Sequence, residues 1–221
     1  TPKTVTATVT NKVGDDTFAL TYEGNTEKDV GNYTAKVTGL GNDNYTLTGA
    51  SGTEQAWSIG VASIAGAEVT LSPESFTYDG SEQKPTVTVT LGEEELTEDT
   101  DYTVSYSGNC VDADTYTVTV TGKGNYSGTA ASKAYTIEKA TVTPSISGTA
   151  SKTYDGTTAA TGLTITLEGA VQGDDVTATA ASYTYNSANV AEANTVTASG
   201  ITLDGEDAGN YTLSALSAQA A

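Results

Sequence analysis

The sequence predicts an all-β chain of small sandwich modules in tandem, and three observations carry that prediction. Apolar residues alternate with Thr at period two in several runs, Gly-Asn and Asp-Gly steps separate the runs, and similar segments recur at a spacing suited to a small β domain.

The alternating runs are Thr4-Val5-Thr6-Ala7-Thr8-Val9-Thr10, Thr86-Val87-Thr88-Val89-Thr90-Leu91 and Tyr116-Thr117-Val118-Thr119-Val120-Thr121. Successive side chains of a strand point to opposite faces, so each run has one face to bury and one to solvate, as antiparallel strands do. The Gly-Asn, Asp-Gly and Gly-Lys-Gly-Asn steps supply residues that tolerate the positive φ of tight turns. No segment has a convincing helical period. Only GEEELTED (92–99) and the Ala-rich end from Ala215 to Ala221 offer room for a turn of helix, and neither is long enough to be stable alone.

Self-comparison sets the module length. Tyr78-Asp79-Gly80 recurs as Tyr154-Asp155-Gly156, seventy-six positions later. Trp57-Ser58-Ile59-Gly60-Val61-Ala62 corresponds to Tyr135-Thr136-Ile137-Glu138-Lys139-Ala140, and residues 22–49 correspond to 106–130. Boundaries near 62–66 and 140–144 give a first module over 1–64 that lacks its beginning, a second over 65–142 and a third over 143–221. The joints hold few Gly or Pro residues, so the expected array is elongated and semi-rigid rather than a flexible string.

Composition closes many functional classes. The 221 residues carry a net charge of -19, with no His, no Met and one Cys. All nine basic residues are Lys. Negative potential over the surface repels phosphate backbones and anionic lipid, so nucleic acid is not an expected partner. No apolar stretch approaches the ~20 residues that span a bilayer, so no membrane insertion is expected. Thr1-Pro2-Lys3 does not begin a signal peptide, and the sequence reads as an excerpt of a longer protein. Thirteen Tyr residues and abundant Thr supply β-favouring side chains to lean cores. Cys110 has no intrachain partner and, in a Gly-Asn-rich loop, reads as an exposed free thiol.

An Asp four residues before a Tyr that starts a strand recurs at Asp29/Tyr33, Asp112/Tyr116 and Asp207/Tyr211. This spacing looks like a tyrosine corner, in which the phenol bonds back to upstream backbone in immunoglobulin-like sandwiches. The third copy is ambiguous, because DAGNYTLSA also aligns with GNDNYTLTG and GNYSGTA as a final-strand element. The Tyr-Asp-Gly element reads as a turn, with the Asp bonding nearby backbone, Gly at positive φ and the Tyr packed on the core. The functional alternative has Tyr78 and Tyr154 exposed and stacking on sugar rings.

The Tyr-Asp-Gly turn, the AGNYT-type strand starts and the YTIEKAT joint resemble the YDG-type and MBG-type bacterial immunoglobulin-like repeats found in tandem in secreted and wall-attached proteins. The resemblance covers essentially the whole chain. It implies tandem immunoglobulin-like β-sandwich modules, extracellular or cell-surface display and, for some relatives, a host-glycan or mucin connection. It carries over no ligand residue. A ubiquitin-like β-grasp is the fold alternative, and it requires a helix.

The expected role is a non-catalytic stalk that presents another domain, the chain itself being a monomer. One alternative is a glycan- or mucin-binding adhesin module, marked by two or more aromatics on one exposed face. Another is an accessory segment of an extracellular glycan-degrading enzyme. No catalytic, cofactor-binding or metal residue is nominated: without His, a nucleophile has only Lys or a carboxylate as base. Lys36, Lys84 and Lys133 lie in or beside strands, where internal amide crosslinks form in some surface proteins. Acidic clusters at Asp15-Asp16, Asp112/Asp114, Asp174-Asp175 and Asp204-Gly205-Glu206-Asp207 offer oxygens for calcium, but none has EF-hand spacing, and solvated loop charge is the expected role. The melting temperature is therefore expected to stay unchanged by a chelator at fixed ionic strength, and a substantial drop would reveal a calcium site.

Overall fold

The computed structural model describes residues 1–215 and the strand Gln219–Ala220, and strands dominate it. Among the described residues the one helical element is the single 3-10 turn Ala208–Asn210. The all-β sandwich reading therefore holds, and the helix that a β-grasp needs is not among these elements. Of the Ala-rich end, residues 216–218 and 221 lie outside the described residues, and Gln219–Ala220 pair antiparallel with Thr195–Val196.

The chain divides into two compact units. One comprises residues 1–69, 88–104 and 119–131, and the other residues 70–87, 105–118 and 132–221, so the middle repeat contributes to both.

In the first unit, strands Thr21–Glu23, Gly31–Gly39 and Glu54–Ile59 form an antiparallel sheet with Gly31–Gly39 at its centre. Its register sets Tyr33 opposite Trp57, and the two rings lie 5.1 Å apart. Within residues 1–63 Ala35 is the buried hydrophobic, and the aromatic side chains are half-covered. The run expected to be a strand over Thr4–Thr10 pairs only at its start: Lys3–Thr4 lie against Thr26–Glu27, and Val5 N–H continues to the Asn25 carbonyl at 2.9 Å. A strand needs a partner backbone. Leu163–Glu168, by contrast, has one in Ala140–Gly148. Later in this unit, Ala62–Ser63 pair in parallel with Tyr126–Ser127. The Glu-rich segment, which offered room for a helical turn, is a hairpin, with Glu94 and Glu95 opposite Leu91 and Thr90. Gly92 at φ 67° makes the tight reversal that a helix would not need. Glu93, Glu94 and Glu95 are exposed, as expected.

In the second unit, Ser75–Thr77 pair in parallel with Lys133–Glu138, which pair antiparallel with the start of Thr115–Gly122. Tyr135 is the hub of an aromatic cluster: it stacks on Tyr116 at 5.5 Å and meets Phe76 and Tyr106 edge-on at 5.9 and 6.3 Å. After Lys139 the chain enters Ala140–Gly148, whose alternate residues Ala140, Val142 and Ile146 are buried. That strand pairs antiparallel with Leu163–Glu168 and in parallel with Tyr211–Leu213. Thr177–Tyr185 and Thr195–Asp204 form a long hairpin, and Ala160, Tyr185 and Val196 make the local core.

Cys110 corrects the sequence reading, since its thiol is buried rather than exposed. Its φ of 57° and the bond from Gln83 N–H to its carbonyl, at 2.8 Å, turn the loop inward. The side chain then fills space beside Tyr135, as a small hydrophobe does.

Two tyrosine corners are present. The Tyr33 hydroxyl lies 2.7 Å from the Asp29 carbonyl oxygen, and that of Tyr116 lies 2.9 Å from the Asp112 carbonyl and 2.7 Å from Asn109 Oδ1. The third candidate, Tyr211, is no corner. It begins the strand paired with Ala140–Val142, the final-strand alternative. Tyr116→Phe should cost about 1–3 kcal/mol, the range for leaving a partner unsatisfied in a part-buried setting. Tyr106, whose hydroxyl sits 3.4 Å from the Pro85 carbonyl, should lose less when changed to Phe. Urea unfolding of both variants measures the difference.

Candidate functional site

The side chains that converge from distant positions do so where one repeat meets the next. Few residues separate the strands there: Gly60-Val61 between Glu54–Ile59 and Ala62–Ser63, and Lys139 alone between Lys133–Glu138 and Ala140–Gly148.

At the first joint, Asn125 reaches back to the corner of the first repeat. Its Nδ2 donates to Asp29 Oδ1 at 2.9 Å, and its Oδ1 accepts the Val30 N–H at 2.8 Å. At the second joint, Asn210 Nδ2 donates to Asp112 Oδ1 at 3.1 Å and its Oδ1 accepts the Ala113 N–H at 2.8 Å. The two joints are chemically the same. In each, an Asn just before a Tyr uses both ends of its amide on an Asp and the following backbone N–H, and that Asp is also the carbonyl acceptor of a tyrosine corner. Asn210 is the buried polar residue among the described ones, and both ends of its amide are paired, as burial requires.

The second joint adds a plug and socket. Tyr78, from the Tyr-Asp-Gly turn of the middle repeat, is 6% exposed and donates its hydroxyl to Asp174 Oδ2 at 2.8 Å. The same oxygen accepts the Tyr211 hydroxyl, which in turn accepts the Val171 N–H at 2.9 Å. The two phenol rings meet edge-on at 5.4 Å. Gly80, at φ 78°, lies so close to Val171 that a Cβ there would stand 2.9 Å from the Val171 methyl. Burial, and then Asp174, push the Tyr78 and Tyr211 hydroxyls above their ordinary value.

The Tyr-Asp-Gly turns are built as the sequence implies. Asp79 Oδ1 accepts the Ser81 N–H at 2.9 Å, and Asp155 Oδ1 accepts the Thr157 N–H at 2.9 Å. Lys152 and Thr157 hold the Asp155 carboxyl down to about 2. The aromatic part needs correction at one copy: Tyr154 is 65% exposed rather than packed on the core. Its ring packs only where another repeat covers it, and Tyr78 has that cover from the third repeat.

The acidic clusters serve as hydrogen-bond acceptors. Asp16 Oδ2 takes the Tyr45 hydroxyl at 2.6 Å, Asp112 takes Asn109 and Asn210, and Asp207 Oδ2 takes the Asp175 N–H at 2.8 Å. Among the described residues no group of three acidic or Cys side chains is placed to hold a metal ion, and no helix is long and apolar enough to cross a membrane. Lys36 and Lys84 form exposed ion pairs with Glu54 and Glu82 at 3.0 and 2.6 Å.

One aromatic face is open. Tyr33 and Trp57, both half-buried, line a shallow groove of about 370 Å³ with Asn32, Thr34, Ala56 and Ser58. Their polar ends are bonded to exposed backbone, the Tyr33 hydroxyl to the Asp29 carbonyl and Trp57 Nε1 to the Gly24 carbonyl at 3.0 Å. The equivalent pair in the middle repeat, Tyr116 and Tyr135, is buried, with Phe76 of the strand Ser75–Thr77 against Tyr135.

The tyrosine corners and turns were visible in the sequence, whereas the joints were not. Asn125 and Asn210 pair with residues almost a hundred positions away. Asn precedes Tyr at 32–33, 44–45, 125–126 and 210–211, and the two clasps are among these four steps, so the step marks them without singling them out.

Residues 65–147 match the MBG domain and residues 137–220 match the YDG domain, the two matches overlapping across the second joint. No curated protein and no solved structure gives a match.

The raised hydroxyls make the second joint sensitive to alkali. A phenol whose pKa is raised on folding contributes stability that is full below the unfolded value, 10.0, and is lost as the pH rises through the folded one. The melting temperature should fall above about pH 10. Tyr78→Phe should lower stability at neutral pH yet flatten that alkaline decline, as a series of thermal melts across pH will show.

Proposed function

We propose that this chain, a tandem carrying an MBG domain followed by a YDG domain, is a non-catalytic spacer of a secreted or cell-surface bacterial protein that holds another domain away from its point of attachment. The observation that carries this reading is the recurrence of one Asn clasp at both joints. A binding module concentrates its converging polar groups in a cleft. Here they converge on the junctions, joining each repeat to the next.

Three further features support a spacer. The linkers of one and two residues leave little freedom for hinge motion. The net charge of -19 disfavours collapse and non-specific association. The resemblance to repeats displayed outside the cell fits a chain whose lone thiol is buried.

The Tyr33–Trp57 face supports a second reading, a glycan-binding module, because sugars stack on flat aromatic surface flanked by polar groups such as Asn32, Thr34 and Ser58. The spacer reading ranks above it because the polar ends of both aromatics are already bonded to the chain's own backbone.

Small-angle scattering on the chain and on a version with the last two repeats duplicated tests the spacer: the longest dimension should grow by a constant increment per repeat. A near-spherical envelope that grows in all directions would overturn it. Trp57, the one Trp in the chain, reports on the second reading, since mucin-type oligosaccharides that bind there must change its fluorescence.

A further inference from the structure

Asp followed by Gly is a step at which a protein chain can rearrange its own backbone. The Gly amide nitrogen attacks the Asp side-chain carbon and closes a five-membered succinimide, and glycine has no side chain to crowd the approach. The sequence holds three such steps, Asp79-Gly80, Asp155-Gly156 and Asp204-Gly205, and no Asn-Gly. The fold sets the third apart from the other two.

Asp79 and Asp155 aim their carboxyls past the glycine. Asp79 Oδ1 accepts the Ser81 N–H at 2.9 Å, and Asp155 Oδ1 accepts the Thr157 N–H at 2.9 Å and Lys152 Nζ at 2.8 Å. These bonds hold both carboxyls below their ordinary range, and an ionised carboxylate offers no leaving group. Asp204 is turned the other way. The Gly205 N–H donates to Asp204 Oδ1 at 2.9 Å, so the attacking nitrogen already lies against the group it attacks. The Thr177 hydroxyl donates to the Asp204 carbonyl at 3.3 Å, the oxygen on which charge develops as the Gly205 nitrogen gives up its proton. Asp204 and Gly205 are both exposed to the water that the reaction needs. Asp114 bonds to the next N–H in the same way, at 2.7 Å, but that residue is Thr115, whose branched side chain crowds the nitrogen. Among the described residues, Asp204 is where this geometry and a glycine coincide.

We infer that Asp204-Gly205 is a self-modification site, at which the chain converts its own peptide bond to an isoaspartyl linkage and thereby loosens the second joint. The Gly205 nitrogen bonds to Asp204 Cγ, its proton passes to solvent, and the side-chain hydroxyl takes up a proton and leaves as water. A second water then opens the ring at either carbonyl. Opening at the former backbone carbonyl leaves the main chain running through Cβ and Cγ, one methylene longer, with a free α-carboxylate and the net charge unchanged. The added atom has no room: Gly205 sits at φ 115°, and even a Cβ there would collide with the Asp175 carbonyl. The same carbonyl accepts the Asp207 N–H at 3.1 Å, and the Asp175 N–H donates to Asp207 Oδ2 at 2.8 Å. Three residues further on stands Asn210, bonded to Asp112 and the Ala113 N–H. Lengthening the backbone at 204–205 shifts this segment off Asp175 and draws the clasp with it. This chemistry is independent of the spacer reading and of its scattering test.

Prolonged incubation of the full chain in mildly acidic buffer, followed by peptide mapping with electron-transfer fragmentation, tests the inference. Isoaspartate at 204 should exceed that at 79 or 155 by about tenfold or more, preceded by a species one water lighter. In urea, where the chain is unfolded, the three steps should react alike. Equal reaction at the three steps in the folded chain, no isoaspartate at 204, or a lead of Asp204 that persists in urea would each overturn the inference. Asp204→Glu, which keeps the charge but cannot close a five-membered ring, should form none at this position. Asp204→Asn, which reaches the same succinimide by losing ammonia, should form it faster than the wild type, and a slower rate would count against the geometry. Circular dichroism melts confirm that both variants fold. Hydrogen exchange reads the joint: the Ala113 N–H should exchange about tenfold faster in the isoaspartyl fraction than in fresh protein, and should stay protected in Asp204→Glu incubated alongside. An isoaspartyl fraction that keeps full protection at Ala113 would overturn the loosening of the joint.

Discussion

The rest of the structure depends on a hydrogen-bonded Asn. Asn125 and Asn210 each engage a carboxylate and the adjoining N–H, and the Asp so engaged also offers its carbonyl to a corner Tyr. One residue thus serves two repeats: it closes the sheet of its own and anchors the next. At the second joint, where Asn210 is buried, leaving the amide or the corner N–H unpaired costs more than forming the bonds gains, so the pairing acts there more by excluding other arrangements than by adding raw stability.

The cores are lean, and Tyr compensates. A phenol brings a large apolar ring and one hydroxyl that needs a partner when buried. Tyr116 and Tyr135 show both properties in the middle repeat, stacking on one another while their hydroxyls reach Asp112 and the Gln83 carbonyl. Tyr78 and Tyr211 do the same at the second joint, where two hydroxyls share one oxygen of Asp174. The acidic residues that read as loop charge are in several cases the acceptors that make burial of these phenols possible.

What the sequence disclosed was what local chemistry decides. Alternation located the strands Thr86–Leu91 and Thr115–Gly122, the four-residue spacing located the corners at Tyr33 and Tyr116, and Asp before Gly located the turns at 79 and 155. The misreadings have a common origin in tertiary context. The run from Thr4 has strand chemistry but pairs with a partner backbone only at its start, Cys110 sits in a loop of polar composition that folds inward, and the turns at Tyr78 and Tyr154, alike in backbone, differ in whether another repeat lies over the ring. The joints were hidden for the same reason, since an Asn in a turn has many local partners and nothing in its neighbourhood shows that its partner is Asp112.

The direction of the Asn clasp gives the array a polarity in how it fails. The amide always comes from the later repeat and the acceptor from the earlier one. Loss of structure in the middle or third repeat therefore strips a bond from the tyrosine corner of the repeat before it, whereas fraying of the first leaves the Tyr116 corner of the middle repeat intact. Damage travels more readily from later repeats toward earlier ones, and unfolding follows the logic of a one-dimensional chain of coupled neighbours whose coupling is lopsided. A chain pulled from its two ends would open its links in a preferred sequence, dissipating load one repeat at a time.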